Sequence, residues 1–221
     1  MAFDSSQTFE SRLLAQNRAR GFYRGALKRG FDLALVLLLA LPALVILIPF
    51  ALAIWLSGGA PFYSQIRIGR NGRPFRMWKL RSMVPDAERL LQAHLAADPA
   101  ARREWERYQK LRNDPRVTPI GRFIRKSSID ELPQLFNVLT GDMSFVGPRP
   151  MLAEQRDIYP GTAYYAMRPG LSGYWQIAAR NESSFAERAL YDTRYFQDLS
   201  FLTDLWVLLR TFRVVLRGAG C

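Results

Sequence analysis

Between Leu33 and Leu56 the chain reads LALVLLLALPALVILIPFALAIWL, with no charged residue. That is about the 20 apolar residues needed to cross a bilayer. A helix apolar on every face must be covered by protein or by lipid, and a chain of 221 residues has little protein to spare for it. A cleaved signal peptide is not expected, because the run is too long and no small-residue cleavage site follows.

The flanks constrain the segment further. Arg12, Arg18, Arg20, Arg24, Lys28 and Arg29 precede it, with no acid among them. Arg67, Arg70, Arg73, Arg76, Lys79 and Arg81 follow, with no acid before Asp86. Lys/Arg-rich flanks stay in the cytoplasm, and a straight span would put one of the two on the wrong side. Pro42 removes a backbone donor and crowds the carbonyl of Leu38, and Pro49 adds a second break. The expected architecture is therefore a basic N-terminal arm (1–29), a re-entrant helix-break-helix dipping into the membrane (30–58) with Pro42 as the break, and a compact cytoplasmic domain (59–221). A kinked helix that does span is the competing reading.

The remaining chain reads as mainly α with small β elements. An amphipathic stretch is expected around Phe9 to Phe22, lying on the membrane surface. Apolar and basic residues alternate from Pro61 to Arg81 around the Gly69–Gly72 pair, which predicts a hairpin. Pro85 to Arg112 reads as two helical pieces divided at Asp98-Pro99, with Asp98 the N-cap and Pro99 in the first turn. Helices are expected over Phe185–Gln197 and Phe201–Arg217, the second interfacial, with Arg210, Arg213 and Arg217 at helical spacing.

Composition limits the chemistry. The net charge of +12 requires an anionic partner or surface, and nucleic acid, anionic lipid and phosphorylated substrates all qualify. No nucleic-acid-binding motif is present, so nucleic acid is not an expected partner. A single Cys221 excludes an internal disulfide, and one Cys with one His (His94, with no ligand at helical spacing) leaves no His/Cys zinc site.

Asp130-Glu131-Leu132-Pro133 is the acidic pair to explain. Proline is tolerated only in a first turn, so a helix starts at about Asp130, and Gly141 ends it. Read locally, Asp130 is an N-cap and Glu131 a first-turn acid. Read with its surroundings, the pair sits among cations suited to phosphate: Arg122, Arg125 and Lys126 before it, Arg149 framed by Pro148 and Pro150, then Arg168 and Arg180. Two fixed φ angles cut the entropy cost of presenting the Arg149 fork.

These residues carry a resemblance. Lys28-Arg29, Lys79-Leu80-Arg81-Ser82-Met83, the run Ser128 to Gln134, Gly141 to Pro150 and Arg168-Pro169-Gly170 resemble the monotopic phosphoglycosyl transferases, or bacterial sugar transferases, in their minimal catalytic form without extra membrane helices. The resemblance covers nearly the whole chain from Lys28 onward.

What it implies is an enzyme at the cytoplasmic face of the bacterial inner membrane. It would move a sugar 1-phosphate from a UDP-sugar to polyprenyl (undecaprenyl) phosphate, releasing UMP, in the first membrane step of exopolysaccharide or other glycoconjugate synthesis. Asp130 would be the nucleophile, forming a phosphosugar–aspartate intermediate. Glu131 would hold Mg²⁺ with Asp130 or manage the proton of the incoming phosphate. Arg149 would grip the transferred phosphate, with Arg125, Lys79 and Arg180 as further contacts. The implied partners are the UDP-sugar, the polyprenyl phosphate and anionic lipid, and a homo-oligomer is compatible with this. The family usually has Ser-Pro at the membrane break where this chain has Leu41-Pro42, so the hydroxyl that would satisfy freed backbone groups is missing. Ile177 to Ser183 and the terminal Val215 to Cys221 resemble members that transfer galactose phosphate. The competing function is a non-catalytic membrane-surface adaptor for anionic lipid, which leaves Asp130-Glu131 and the prolines around Arg149 unexplained.

Overall fold

The computed structural model describes residues 23–109, 111–178 and 184–216. The expected surface stretch Phe9 to Phe22, Arg180, Arg217 and Cys221 lie outside them.

After a short π-type turn (Tyr23–Leu27), helix α1 runs from Lys28 to Leu56. Its Leu/Ala/Ile composition favours helix, and it continues through both Pro42 and Pro49. The expected helix-break-helix is corrected here: Pro42 interrupts no helical run. A proline deletes one hydrogen bond and bends the helix at its i−4 carbonyl, while the remaining backbone bonds hold the turn together. Among the described residues this is the one helix long and apolar enough to cross a membrane.

Both ends of α1 are packed on the rest of the protein. At the start, Lys28 and Asp32 are buried. Arg29 donates to the carbonyls of Val138 and Leu139, and the Asp32 carboxylate accepts from Ser144 Oγ at 2.9 Å and the Phe145 N–H at 3.0 Å. At the end, Ile54 is buried against Leu80 and Ile124, and the Phe50 ring stacks on Phe123 at 5.8 Å. Between these anchors Leu37, Leu38 and Leu41 are each at least 70% exposed, so this stretch of α1 carries an uncovered apolar face.

Strands β1 (Phe62–Ile68) and β2 (Pro74–Leu80) form the expected antiparallel hairpin, with Phe62 opposite Leu80 and Tyr63 opposite Lys79. Its turn places Asn71 at φ 60 and Gly72 at φ 74. Helices α2 (Ala87–Ala97) and α3 (Pro99–Tyr108) are divided as expected, the Asp98 carboxylate accepting from the N–H groups of Ala100 and Ala101 at 2.8 and 3.2 Å. They enclose a small apolar cluster of their own (Leu91, Leu95, Ala101, Leu111).

Helix α4 (Pro119–Lys126) leads through a 3-10 turn (Ile129–Glu131) into α5 (Gln134–Thr140), which Gly141 ends at φ 92. Strand β3 (Ser144–Val146) pairs in parallel with β4 (Gly170–Ser172), with the short α6 (Ala163–Ala166) between them. Helices α7 (Tyr174–Ala178), α8 (Arg188–Asp198) and α9 (Phe201–Leu216) complete the described chain. The α8 helix starts three residues later than the sequence suggests, because Phe185 points into the apolar cluster around Tyr164 and Tyr159. The main core joins β2, α5, β3, α8 and α9 through Phe75, Met77, Val138, Phe145, Phe196 and Val207. The architecture is the expected mainly helical one with small two-stranded sheets.

Candidate active site

Three local devices bring the acidic pair to the mouth of a cleft. Thr118 caps α4 by accepting from the Gly121 N–H at 2.9 Å, and Gly121 lies so close to the Ser82 carbonyl that a Cβ would stand 2.0 Å from it. That contact presses α4 onto the chain leaving β2. Ser128 then turns the backbone at φ 58, and the 3-10 turn carries Asp130 and Glu131. Finally, the Asn137 side chain bridges α5 to β2, accepting from the Trp78 N–H at 3.0 Å and donating to the Arg76 carbonyl at 2.6 Å. Lys79, the next residue on β2, thereby faces the acidic turn.

Lys79 Nζ lies 3.2 Å from Asp130 Oδ2 and 3.3 Å from Glu131 Oε1. Arg149 Nη1 is 3.6 Å from Glu131 Oε1. The capping explanation for Asp130 fails: the residue before α5 is Pro133, no side chain caps that helix, and Asp130 is buried with its oxygen turned to Lys79. A helix was expected to start at Asp130; instead Pro133 separates a 3-10 turn from the α-helix, which lets two consecutive carboxylates reach the same lysine. Asp130 is thus a carboxylate held nearly dry beside a cation and facing a cleft, not a solvated surface charge.

The cleft has a volume of about 1570 Å³. Of the residues singled out around the acidic pair in the sequence, Lys79, Arg122, Arg125, Lys126, Asp130 and Arg149 line it together. Arg125 stands on its wall and, among the described residues, makes no ion pair with Asp130 or Glu131. Arg168 is elsewhere, donating to the Gly141 carbonyl at 2.8 Å, where it caps α5. Arg180 lies outside the described residues.

Sequence reasoning missed Arg67 and Arg188, which line the same cleft. Arg67 Nη2 donates to Gln65 Oε1 at 2.6 Å, and burial together with the neighbouring Arg149 lowers its pKa to about 10, so it stays charged at neutral pH. Arg188 is 4% exposed, its guanidinium stacked over Phe185 at 4.8 Å and Trp175 at 5.1 Å. A period-two reading of β1 would have placed residues 63, 65 and 67 on the face that carries Lys79 across the hairpin. No local signal marks Arg188.

Comparison with known proteins now adds to the geometry. The sequence model of the family described as bacterial sugar transferase matches residues 23–218. This chain belongs to the bacterial sugar transferase family. It is 46% identical over 199 residues to a UDP-galactose-lipid carrier transferase of Erwinia amylovora, and 44% identical over 200 to an undecaprenyl-phosphate galactose phosphotransferase of Salmonella typhimurium. Each match covers 88% of this chain and 41% of the relative, so the chain spans about two fifths of those proteins. The exopolysaccharide production protein ExoY of Sinorhizobium fredii is 43% identical over 200 residues, covering 89% of this chain and 88% of ExoY. The residues matched by the family model include every element that lines the cleft.

Proposed function

We propose that this sugar transferase moves a sugar 1-phosphate from a UDP-sugar to undecaprenyl phosphate at the cytoplasmic face of the bacterial inner membrane. The observation that carries the chemistry is Asp130: buried, free of any capping role, and held at 3.2 Å by Lys79 beside a large cleft lined by arginines. Asp130 attacks the β-phosphorus of the UDP-sugar and UMP leaves. The lipid phosphate then attacks the phosphosugar–aspartate and releases the carboxylate. Lys79 offsets the repulsion between the Asp130 carboxylate and an incoming diphosphate, and Arg149 stabilises the charge that spreads over the equatorial oxygens.

Mg²⁺ fits this site in the way that metal is usually held, with one or two carboxylates and substrate phosphate oxygens completing its shell. Asp130 and Glu131, consecutive carboxylates that share Lys79, would be its protein ligands. When bound, the ion would neutralise diphosphate charge.

The membrane arrangement we infer is re-entrant. A helix of 29 residues is about 43 Å long at 1.5 Å per residue, longer than the ~30 Å hydrocarbon core. A helix that crossed would carry Ile54 to the far side from Lys28, yet both pack on one folded unit. This supports one leaflet as the environment of Leu37, Leu38 and Leu41, with both basic flanks in the cytoplasm. The α9 helix, with Leu202, Leu209 and Phe212 exposed and Arg210 over Trp206 at 5.2 Å, suits the interface beside it. Galactose is the proposed sugar, because two close relatives carry it in their names.

The test is UMP release by the purified chain in nanodiscs with Mg²⁺, undecaprenyl phosphate and a panel of UDP-sugars. Turnover is expected with UDP-galactose and is expected to fall about 10³-fold or more in Asp130→Asn. Undiminished turnover in that variant removes Asp130 as nucleophile, and no release from any UDP-sugar returns the chain to the adaptor reading.

A further inference from the structure

The mechanism above uses Lys79 and Arg149, and among the other cations of the cleft Arg67 and Arg188 stand out by their burial. Arg67 Nε and Arg188 Nε are both buried with no hydrogen-bond partner. Among the described residues no carboxylate oxygen lies within 4.0 Å of either head group. Burying a guanidinium without a carboxylate is costly, and proteins keep such groups where an anion arrives. Asp192, the carboxylate that acts on Arg188, is itself engaged by the Tyr159 hydroxyl at 2.7 Å.

Their position relative to the nucleophile suggests which anion. Lys79 touches Asp130 and Glu131, and Arg149 touches Glu131. Arg188 Nη2 donates to the Arg149 carbonyl at 2.5 Å and Arg67 Nη1 to the Pro150 carbonyl at 3.4 Å. Arg67 and Arg188 are thus tied to the backbone of Arg149 and Pro150 on the wall of the same cleft, and among the described residues neither pairs with Asp130. In a phosphoryl transfer the leaving oxygen lies in line with the nucleophile on the opposite side of the phosphorus. The leaving phosphate therefore meets cations of the cleft other than the Lys79 that holds the nucleophile.

We propose that Arg67 and Arg188 form one phosphate-monoester subsite, used first by the departing nucleoside monophosphate and then by the attacking lipid phosphate. This rests on the transferase reading. In the first half-reaction the Asp130 Oδ–Pβ bond forms, the bond from Pβ to the bridging oxygen breaks, and its electron pair stays on that oxygen as UMP. In the second, an oxygen of the lipid phosphate bonds to the same phosphorus, and the Asp130 Oδ–P bond breaks to restore the carboxylate. No proton is gained or lost overall. Both displacements are in line with the same Asp130–P axis, so entering and leaving oxygens use one side of the cleft, and one subsite serves both.

Binding is measured by titrating UMP into the full chain in nanodiscs. Arg67→Gln is the main variant, because among the described residues the Arg67 head group makes two hydrogen bonds; an unchanged melting curve checks that it is folded. UMP affinity should fall about tenfold to a hundredfold, the loss of one charge-assisted contact, and Arg67→Lys should recover part of it. Arg188→Gln should weaken UMP similarly. In Asp130→Asn, where no intermediate forms, undecaprenyl phosphate should displace UMP, and the KM for undecaprenyl phosphate should rise in Arg67→Gln.

Unchanged UMP affinity in a folded Arg67→Gln chain overturns the subsite. Weaker UMP binding with simultaneous, non-competing binding of the lipid phosphate overturns its shared use. A wild-type chain that releases no UMP from any UDP-sugar is a failure of the transferase reading instead, and the UMP titration separates that case from these.

Discussion

The buried pair Lys28–Asp204 joins the start of α1 to α9, and breaking it has a calculable consequence. Asp204 is 0% exposed; Lys28 Nζ lies 2.5 Å from its Oδ2, while the hydroxyls of Tyr23 and Tyr195 donate to it at 2.7 and 2.6 Å. Lys28→Met deletes the only cation paired with that carboxylate among the described residues. Removing one partner of a buried pair costs about 3–5 kcal/mol because the other charge stays in low dielectric. Two phenol donors remain, so the lower end, about 3 kcal/mol, is expected. For a chain of this size that is a fall in melting temperature of roughly 6–12 °C.

Asp204→Asn should cost a comparable amount by stranding the lysine. The double variant Lys28→Met/Asp204→Asn strands neither, since asparagine still accepts from a tyrosine, and should lose only about 1 kcal/mol. The coupling energy, the two singles together less the double, is then about 5 kcal/mol. The assay is tryptophan-monitored unfolding of all four proteins in the same detergent. A double variant as damaged as the sum of the singles would refute the argument, because it would mean the two charges do not compensate each other.

Two further outcomes follow from the packing. In Gly147→Ala the new Cβ would stand 2.3 Å from the Arg168 carbonyl, forcing β3 from β4 two residues before Arg149. Stability should fall by about 1–3 kcal/mol and kcat by tenfold or more, read by melting and UMP release; near-wild-type turnover would count against Arg149 needing this frame. Burial raises the Asp192 carboxyl to about 6, above its unfolded value, so the folded chain holds an extra proton between about pH 4 and 6. Stability from this group is present at low pH and lost as pH rises through about 6. Melting of wild type should therefore decline over that window more than melting of Asp192→Asn, and parallel profiles would remove Asp192 as the cause.

Features that depend on neighbours in the chain were legible before the fold was known. Asp98-Pro99 specifies a cap and a first turn, Gly141 the left-handed residue that ends α5, and the Gly69–Gly72 pair a hairpin, because each follows from backbone sterics within a few residues. The acidic pair and the arginine framed by prolines were also visible, as residue types with unusual local constraint. The partner of Asp130 was not, since a capping aspartate and one paired with a distant cation look alike in the sequence. Lys79 is 51 residues away and reaches Asp130 only because Asn137 clamps β2 to α5.

For α1 the division runs the other way. Its hydropathy and flanking charge are properties of composition, and they already called for lipid around Leu37 and Leu38 and for one side for both flanks. The break expected at Pro42 is absent as an unwound turn, because intact hydrogen bonds on either side outweigh the one a proline removes. The sequence by itself determined an apolar helix, a hairpin, capped helices and an acidic turn among cations. Only the tertiary structure decided that both ends of α1 rest on one domain, and that Arg67 and Arg188 join Lys79 and Arg149 around Asp130. Those contacts connect positions far apart in the chain, and packing rather than local backbone preference sets which of them form.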